Sequence, residues 1–357
     1  MGLAMKPPAL RDLRARGEGA VLADGLGVNM RLGDMTLDKL GLARNTGFRW
    51  LRTDVVWAQI EAEAGAFDFR AQAAALGRAR QLGFRMLGIL DYGHPIHTQG
   101  RGPATQAERA AFVTFAQRAE SEIGALVDAW EIWNEPNYKG FWAPSPNPTD
   151  FAALVRDAAR GIWAVNARRQ VVAGGLSNLD AAFLSAIAPT LVEVARLGPL
   201  AGSVHPYRAT PPETFAADLA RVSLLDSQGR AWAAPGVPLW VTEWGYCRLR
   251  ENLGAVGQAE MDARLPLVTA ALGVPVTIVF ELIDPRAQQT ECGHSYGLYE
   301  TGSLRPHPAG IAVQELLNRY GGQVVTGPGL LRRGSGWGLK AGSGELRWSS
   351  VPGPVVG

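Results

Sequence analysis

The sequence predicts a closed parallel (β/α)8 barrel of the TIM type, with a short C-terminal β-rich extension, and three observations carry that prediction. Short apolar runs alternate eight times with longer stretches of helical periodicity. The apolar runs are nearly continuous, as in strands buried on both faces. Polar side chains gather at the C-terminal ends of several runs, where the loops of a barrel open onto one face. An open doubly wound sheet would carry a glycine-rich phosphate turn after its first strand, and Met30-Arg31-Leu32-Gly33-Asp34 is not one.

The elements follow in order. Gly27 to Arg31 reads as the first strand, and Thr36 to Arg44 as a helix closed by Asn45-Thr46-Gly47. Phe48 to Asp54 is the second strand, Phe69 to Gln81 a helix stopped by Gly83, and Arg85 to Tyr92 the third strand. Thr105 and Glu108 make a capping-box signature for a helix reaching Ile123, and Trp130-Glu131-Ile132-Trp133-Asn134-Glu135-Pro136-Asn137 is the fourth strand with its loop. A helix from Asp150 to Val165 precedes strand five, Gln170 to Gly175. A short helix near Ala181 to Ile187 precedes strand six, Gly202 to Tyr207. Thr210-Pro211 opens a helix to about Leu225, and strand seven is Leu239 to Tyr246. Met261 to Leu272 is helical, Val274 to Glu281 the eighth strand, and Gly310 to Tyr320 the last helix. The expected division is a catalytic barrel over 1–320 and a β-rich tail over 321–357, packed on the barrel or begun as an accessory β-domain, because so few residues bury no core alone.

Composition limits the function classes. The chain has 357 residues, 47% hydrophobic and 19% charged, with a formal charge of +2, which supplies no basic excess for nucleic acid or an anionic membrane. No apolar run approaches the roughly 18 residues of a membrane span. Met1 to Arg16 carries charges where an export signal has its apolar segment, so the expectation is a cytoplasmic protein, or a periplasmic or secreted one whose signal was removed. A monomer is the expected state. Cys247 and Cys292 are too few for a disulfide framework and lack metal-ligand spacing. Both lie just past strand ends, so a loop-to-loop disulfide and two free thiols are both open.

Glu135 and Glu243 end two strands without an evident partner, the second in Leu239-Trp240-Val241-Thr242-Glu243-Trp244-Gly245-Tyr246. A lone glutamate beside a turn is unremarkable, but two strand-end carboxylates on one barrel face are a catalytic pattern. Trp133-Asn134-Glu135-Pro136, His205-Pro206-Tyr207 and Thr242-Glu243-Trp244-Gly245, in that order, resemble the retaining glycoside hydrolases of clan A. Arg52-Thr53-Asp54 with Trp57, Ile60-Glu61 and Phe67-Asp68-Phe69 resembles family 39 and related bacterial exopolysaccharide hydrolases, as does Tyr296-Gly297-Leu298-Tyr299 before Pro306-His307-Pro308.

The resemblance implies a β-glycoside hydrolase acting on an oligo- or polysaccharide, without metal or organic cofactor. It assigns Glu135 as acid/base and Glu243 as nucleophile. Retention needs one carboxyl to protonate the leaving oxygen and a second to attack the anomeric carbon, so Glu135 must start protonated and Glu243 ionised. Arg52 and Tyr207 match the donors to the nucleophile, and Asn134 the partner of the sugar 2-hydroxyl. Each has a plainer alternative, Arg52 as a structural partner of Glu131 or Asp54, and His205 and Tyr207 as satisfied core groups, which the strand-end positions outweigh. Glu131 reads as a deeper, paired structural carboxylate, and His94 and His97 as solvated loop residues. Trp57, Asp91, Tyr92, Trp142, Trp244 and Glu281 are the further candidates for sugar contacts, with Trp133, Tyr138, Tyr246 and Tyr296 as additional loop aromatics. Strand eight departs from the clan by offering Phe280-Glu281 where a tryptophan is common. Two alternatives use the same residues: a transglycosylase, and a glycan-binding protein on a hydrolase scaffold.

Overall fold

The computed structural model describes residues 20–223, 237–250, 253–287 and 291–349. The expected helix end at Leu225, the residues before 20 and the last eight of the tail lie outside them. The barrel strands are β1 (Leu26–Asn29), β2 (Trp50–Val56), β3 (Arg85–Asp91), β4 (Ala129–Ile132), β5 (Gln170–Ser177), β6 (Leu200–His205), β7 (Leu239–Trp244) and β8 (Thr277–Val279). All pair in parallel with their sequence neighbours, and β1 closes onto β8. Between them run α1 (Leu37–Thr46), α2 (Arg70–Gln81), α3 (Gln106–Ile123), α4 (Pro148–Val165), α5 (Ala181–Ala195), α6 (Phe215–Ser223) and α7 (Gly254–Ala271), with α8 (Pro308–Tyr320) after β8. The expected (β/α)8 barrel is what the chain forms.

Local chemistry explains three of the helix starts. Thr105 and Glu108 form a reciprocal capping box on α3, Asn147 caps α4 ahead of Pro148, and Asp180 caps α5 through the Phe183 amide. Two helices outrun their expected limits. The α5 helix continues through Pro189 to Ala195, and α7 begins at Gly254 and contains Pro266. Burial of Leu191 and Val194 in one helix, and of most of α7, outweighs the local penalty of an internal proline. A small hairpin, Glu61–Glu63 with Ala66–Phe67, was not foreseen.

The barrel is filled in layers. Trp50, Leu87, Ala129, Val172, Ala201, Trp240, Val276 and Ile278 form the lower plug, in which the Trp50 and Trp240 rings meet edge to face at 5.8 Å. Above it the inward positions become polar, and there the candidate site begins.

Two strands are irregular at that level. In β5, Ala173 and Leu176 stand opposite Gly202 and Val204 of β6, so one extra residue is accommodated at Gly174-Gly175, where Gly174 has φ +60°. In β7, Val241 and Trp244 stand opposite Thr277 and Val279 of β8, again with one residue to spare. The tail forms an antiparallel sheet of β9 (Val325–Arg333), β10 (Gly336–Ala341) and β11 (Gly344–Ser349). Its buried Val325, Leu339, Leu346 and Trp348 pack with Leu267, Leu316 and Tyr320 of α7 and α8, and Trp348 Nε1 donates to Glu213 at 2.7 Å. Cys247 and Cys292 form a disulfide that joins the loop after β7 to the loop after β8 and closes 45 residues. Closure of that length stabilises by on the order of 3–4 kcal/mol in the chain-entropy account.

Candidate active site

Arg52 is the hub. It is fully buried on β2 and spends its donors on four side chains: Nε on Glu131 Oε2 at 2.7 Å, Nη1 on Glu243 Oε2 at 2.9 Å and Asn29 Oδ1 at 3.3 Å, and Nη2 on Asn134 Oδ1 at 2.9 Å. Burial alone would lower its pKa, but the charges of Glu131 and Glu243 raise it well above the ordinary value, so the cation is permanent. Arg52 thus bonds both carboxylates weighed for it in the sequence, Glu131 below and Glu243 above.

Glu131 lies below the site on β4, wholly buried, and accepts from the Gly175 amide at 3.1 Å, Ser203 Oγ at 3.1 Å and Thr242 Oγ1 at 2.7 Å in addition to Arg52. Three donors reach Oε1 and Arg52 holds Oε2, so both oxygens are partnered as a buried charge requires. The two bulges make this possible. The β5 bulge turns the Gly175 amide toward Glu131, and a Cβ at Gly175 would lie 2.1 Å from His205 Nε2 and 2.8 Å from Glu131 Oε1. The β7 bulge lets two neighbours, Thr242 and Glu243, both face the interior, which a regular strand forbids.

Glu243 is held by charge-assisted bonds on both oxygens, from Arg52 to Oε2 and from Tyr207 Oη to Oε1 at 2.6 Å. Burial, and then the Glu243 charge, push the Tyr207 pKa well above its ordinary value, so the phenol remains a donor. Glu135 sits across from it on the loop after β4, in a backbone turn where Trp133 has φ +69° and Glu135 φ +45°. Such left-handed conformations of bulky residues cost about 1–3 kcal/mol each and occur where side-chain direction matters more than local comfort. The Glu135 amide donates to Gly175 O at 3.0 Å, so the β5 bulge fixes this turn too.

His205 links the polar layer to Glu135. Thr242 Oγ1 donates its hydroxyl to Glu131, so toward His205 Nε2, 3.2 Å away, it can only accept. The proton on Nε2 is thereby fixed, and Nδ1 faces Glu135 Oε1 at 3.0 Å. A neutral His205 makes that bond only if Glu135 carries a proton, and a charged one brings the proton itself. His205 Nδ1 also lies 3.9 Å from Glu243 Oε2, so the ring borders both carboxyls. One oxygen each of Glu135 and Glu243, and a ring nitrogen of His205, all lie within 4.8 Å of one another. Paired carboxyls about 5–5.5 Å apart belong to double displacement, and a gap of about 6.5–9.5 Å is needed to seat a water between them. The same three side chains have metal-ligand spacing, but Arg52 already neutralises Glu243 and its fixed charge opposes a second cation there.

The remaining candidates divide. Asn134 is in place, accepting from Arg52 and donating Nδ2 to Tyr92 Oη at 3.2 Å. Tyr92 is half-buried beside it. Trp57 is instead fully buried under the hairpin, sandwiched by His97 and Phe115, with Nε1 on Glu61 at 2.6 Å. Trp142 and Trp244 are likewise buried, against Trp133 and Phe151 in one case and Phe215 and Tyr246 in the other, so neither has a face open to a sugar. Trp133 and Tyr246 are core as well. Asp91 is wholly buried, with neither carboxyl oxygen in a hydrogen bond among the described residues; burial and then the neighbouring Asp54 raise its pKa far above the carboxylate range, and a side chain so enclosed does not reach a substrate. His94 and His97 are not solvated loop residues. They bond Glu61, at its backbone oxygen and carboxylate respectively, and their rings lie against Trp57. Asn29, Thr242 and Arg31 belong to the polar layer without having been foreseen, and Asp54, foreseen as a barrel carboxylate near Arg52, belongs to it too.

No protein-family profile matches the chain, and no curated protein matches it in sequence. Solved structures do. A family 39 glycoside hydrolase from the gut symbiont Bacteroides cellulosilyticus WH2 matches with a TM-score of 0.73 and 19% identity over 96% of this chain and 72% of that chain. The GH39 enzyme from Xanthomonas axonopodis pv. citri gives 0.69 and 17% over 93% and 73%, and a monomeric beta-xylosidase from Caulobacter crescentus CB15 gives 0.67 and 18% over 92% and 75%. The chain has the fold of these glycoside hydrolases. Within this glycoside hydrolase fold no helix among the described residues is long and apolar enough to cross a membrane.

The eighth strand is where this barrel departs from the expected pattern. Phe280 is half-buried, with its ring 5.8 Å from Tyr296 and 6.3 Å from Tyr207, so an aromatic edge remains beside Glu243. Glu281 does not reach the cleft as expected. It is 1% exposed, with Oε2 on Arg31 at 2.6 Å and Oε1 without a partner. Burial pushes its pKa from 4.5 up to about 7, with Arg31 opposing and Asp284 and Glu243 adding to the rise. The native state therefore holds a proton that the unfolded chain releases between those two values, and stability falls as pH rises through that window. Glu281→Gln removes this titration. Chemical denaturation from pH 4.5 to 8 is expected to show wild type losing about 3 kcal/mol relative to the variant; parallel curves would refute the buried proton.

Proposed function

We propose that the chain is a retaining β-glycoside hydrolase that cleaves an oligo- or polysaccharide by double displacement, with Glu243 as nucleophile and Glu135 as general acid/base. The observation that carries the reading is the asymmetry of two carboxyls with oxygens within 4.8 Å of each other: one accepts from Arg52 and Tyr207, donors that suit a nucleophilic carboxylate, and the other faces His205 Nδ1, a partner that suits an acid/base. In the first step Glu243 attacks the anomeric carbon as Glu135 gives its proton to the leaving oxygen, and a glycosyl ester forms at Glu243. In the second, Glu135 as carboxylate takes a proton from water, and the water oxygen displaces the ester. Asn134 is oriented by Arg52 on one side and Tyr92 on the other, which suits a contact to the 2-hydroxyl that tightens as positive charge develops on the sugar.

The stereochemical outcome tests this reading directly. Proton NMR during hydrolysis of a panel of aryl β-glycosides is expected to show the β-hemiacetal first, with the α-anomer appearing later by mutarotation. First release of the α-anomer would exclude double displacement.

A further inference from the structure

We propose that Tyr138 and Phe141, on the loop after β4, form a stacking subsite for a sugar unit adjacent to the one held at Glu243, which makes the substrate an oligosaccharide; this rests on the glycosidase reading. Tyr138 is 53% and Phe141 36% exposed, and among the described residues they are the only aromatic side chains that expose so much surface. The other exposed large apolar residues are aliphatic. Aromatic rings left in water beside a catalytic site have a cost unless something covers them, and the carbon–hydrogen face of a pyranose suits a ring face.

The two rings are continuous with the site. Phe141 stacks on Tyr92 at 5.4 Å and 16°, Tyr92 Oη accepts from Asn134, and Asn134 is bound to Arg52. One face of Phe141 is thus taken by Tyr92, which leaves the opposite face to solvent. Tyr138 meets Phe141 at 5.7 Å and 59°, so the pair makes an angled wall rising from the site.

The wall is also built in advance. The Tyr138 amide donates to Glu135 O at 2.9 Å, the Phe141 and Trp142 amides both donate to Tyr138 O at 3.0 Å, and Phe141 O accepts from Trp133 Nε1 at 3.1 Å. Trp142 is buried beneath as the anchor. A Cβ at Gly140 would lie 2.7 Å from the Tyr138 ring, so glycine is what lets that ring fold over the loop. Rings fixed before binding lose little entropy when a sugar arrives.

The test compares one aryl β-monosaccharide with aryl β-oligosaccharides of the same sugar, drawn from the gluco, xylo and manno series, on the full chain. Tyr138→Ala, Phe141→Ala and Gly140→Ala are each expected to raise the ratio of oligosaccharide KM to monosaccharide KM about tenfold, equivalent to about 1.4 kcal/mol. Phe141→Trp, which keeps a ring, is expected to hold that ratio near wild type. Loss confined to unlabelled oligosaccharides, whose leaving group is itself a sugar, places the subsite on the leaving side; loss on aryl oligosaccharides places it on the other. Equal loss on every substrate marks a structural role and overturns the proposal, as does no loss on any. If wild type cleaves no glycoside, the glycosidase reading has failed, and calorimetric titration with the unlabelled oligosaccharides then decides the subsite. Binding weakened about tenfold in the variants upholds it; unchanged binding, or none by wild type, overturns it.

Discussion

Glu243→Ala is expected to lower turnover of aryl β-glycosides by roughly 10⁴-fold or more, because it deletes the atom that forms the intermediate. The vacated space lies between two donors that remain in place, the Arg52 guanidinium and the Tyr207 phenol, previously 2.9 and 2.6 Å from the carboxylate. A small anion is attracted there. Azide is therefore expected to restore part of the rate on substrates with activated leaving groups and to yield the α-glycosyl azide, the product of a single displacement. Chromatography and NMR of the product make the check. Full activity without azide, or a β-configured azide adduct, would remove Glu243 from the nucleophile's role.

Glu135→Gln has the second largest expected effect, and its signature is selectivity. The variant keeps a side chain of the same size against His205 but has no acidic proton to deliver. Hydrolysis of alkyl glycosides or oligosaccharides, whose leaving groups need that proton, is expected to fall by about 10²–10⁴-fold. With dinitrophenyl glycosides the first step needs little protonation, so the glycosyl ester forms and then persists, since the base for water is gone as well. A burst of phenolate followed by slow turnover, read in a stopped-flow trace, is the expected record. Uniform losses across leaving groups would instead indicate collapse of the site. The bond from His205 Nδ1 is the one to watch, since the amide presents an NH2 group or an oxygen where the acid presents Oε1.

Much of this was legible in the sequence for identifiable reasons. Alternating apolar runs and helical periods determine a barrel almost regardless of detail, and carboxylates at strand ends can only meet at its open face. Arg52, Asn134, His205 and Tyr207 were recoverable because their motifs carry them to that face. Which way an aromatic points is a different matter. Trp57, Trp142 and Trp244 lie near strand ends, yet their rings fill the gap between strands and helices, whereas Phe141 and Tyr138 turn outward; one-dimensional spacing does not distinguish the two. Asp91 shows a similar limit, since its burial against Asp54 depends on the registers of two strands. The disulfide was open on the sequence because two cysteines in neighbouring loops fit either state until their separation is known. The Pro189 and Pro266 helices show tertiary burial overriding a local rule.

The extra residue in β7 has a consequence for anyone rebuilding this barrel. With Thr242 and Glu243 both directed inward, the site depends on a fault in the ladder as much as on the acid itself. An idealised redesign that trimmed one residue to straighten the strand would preserve each amino acid of the proposed site and still swing the carboxylate out toward the helical shell. Transplanting the pair to another scaffold therefore means carrying the irregularity along with it.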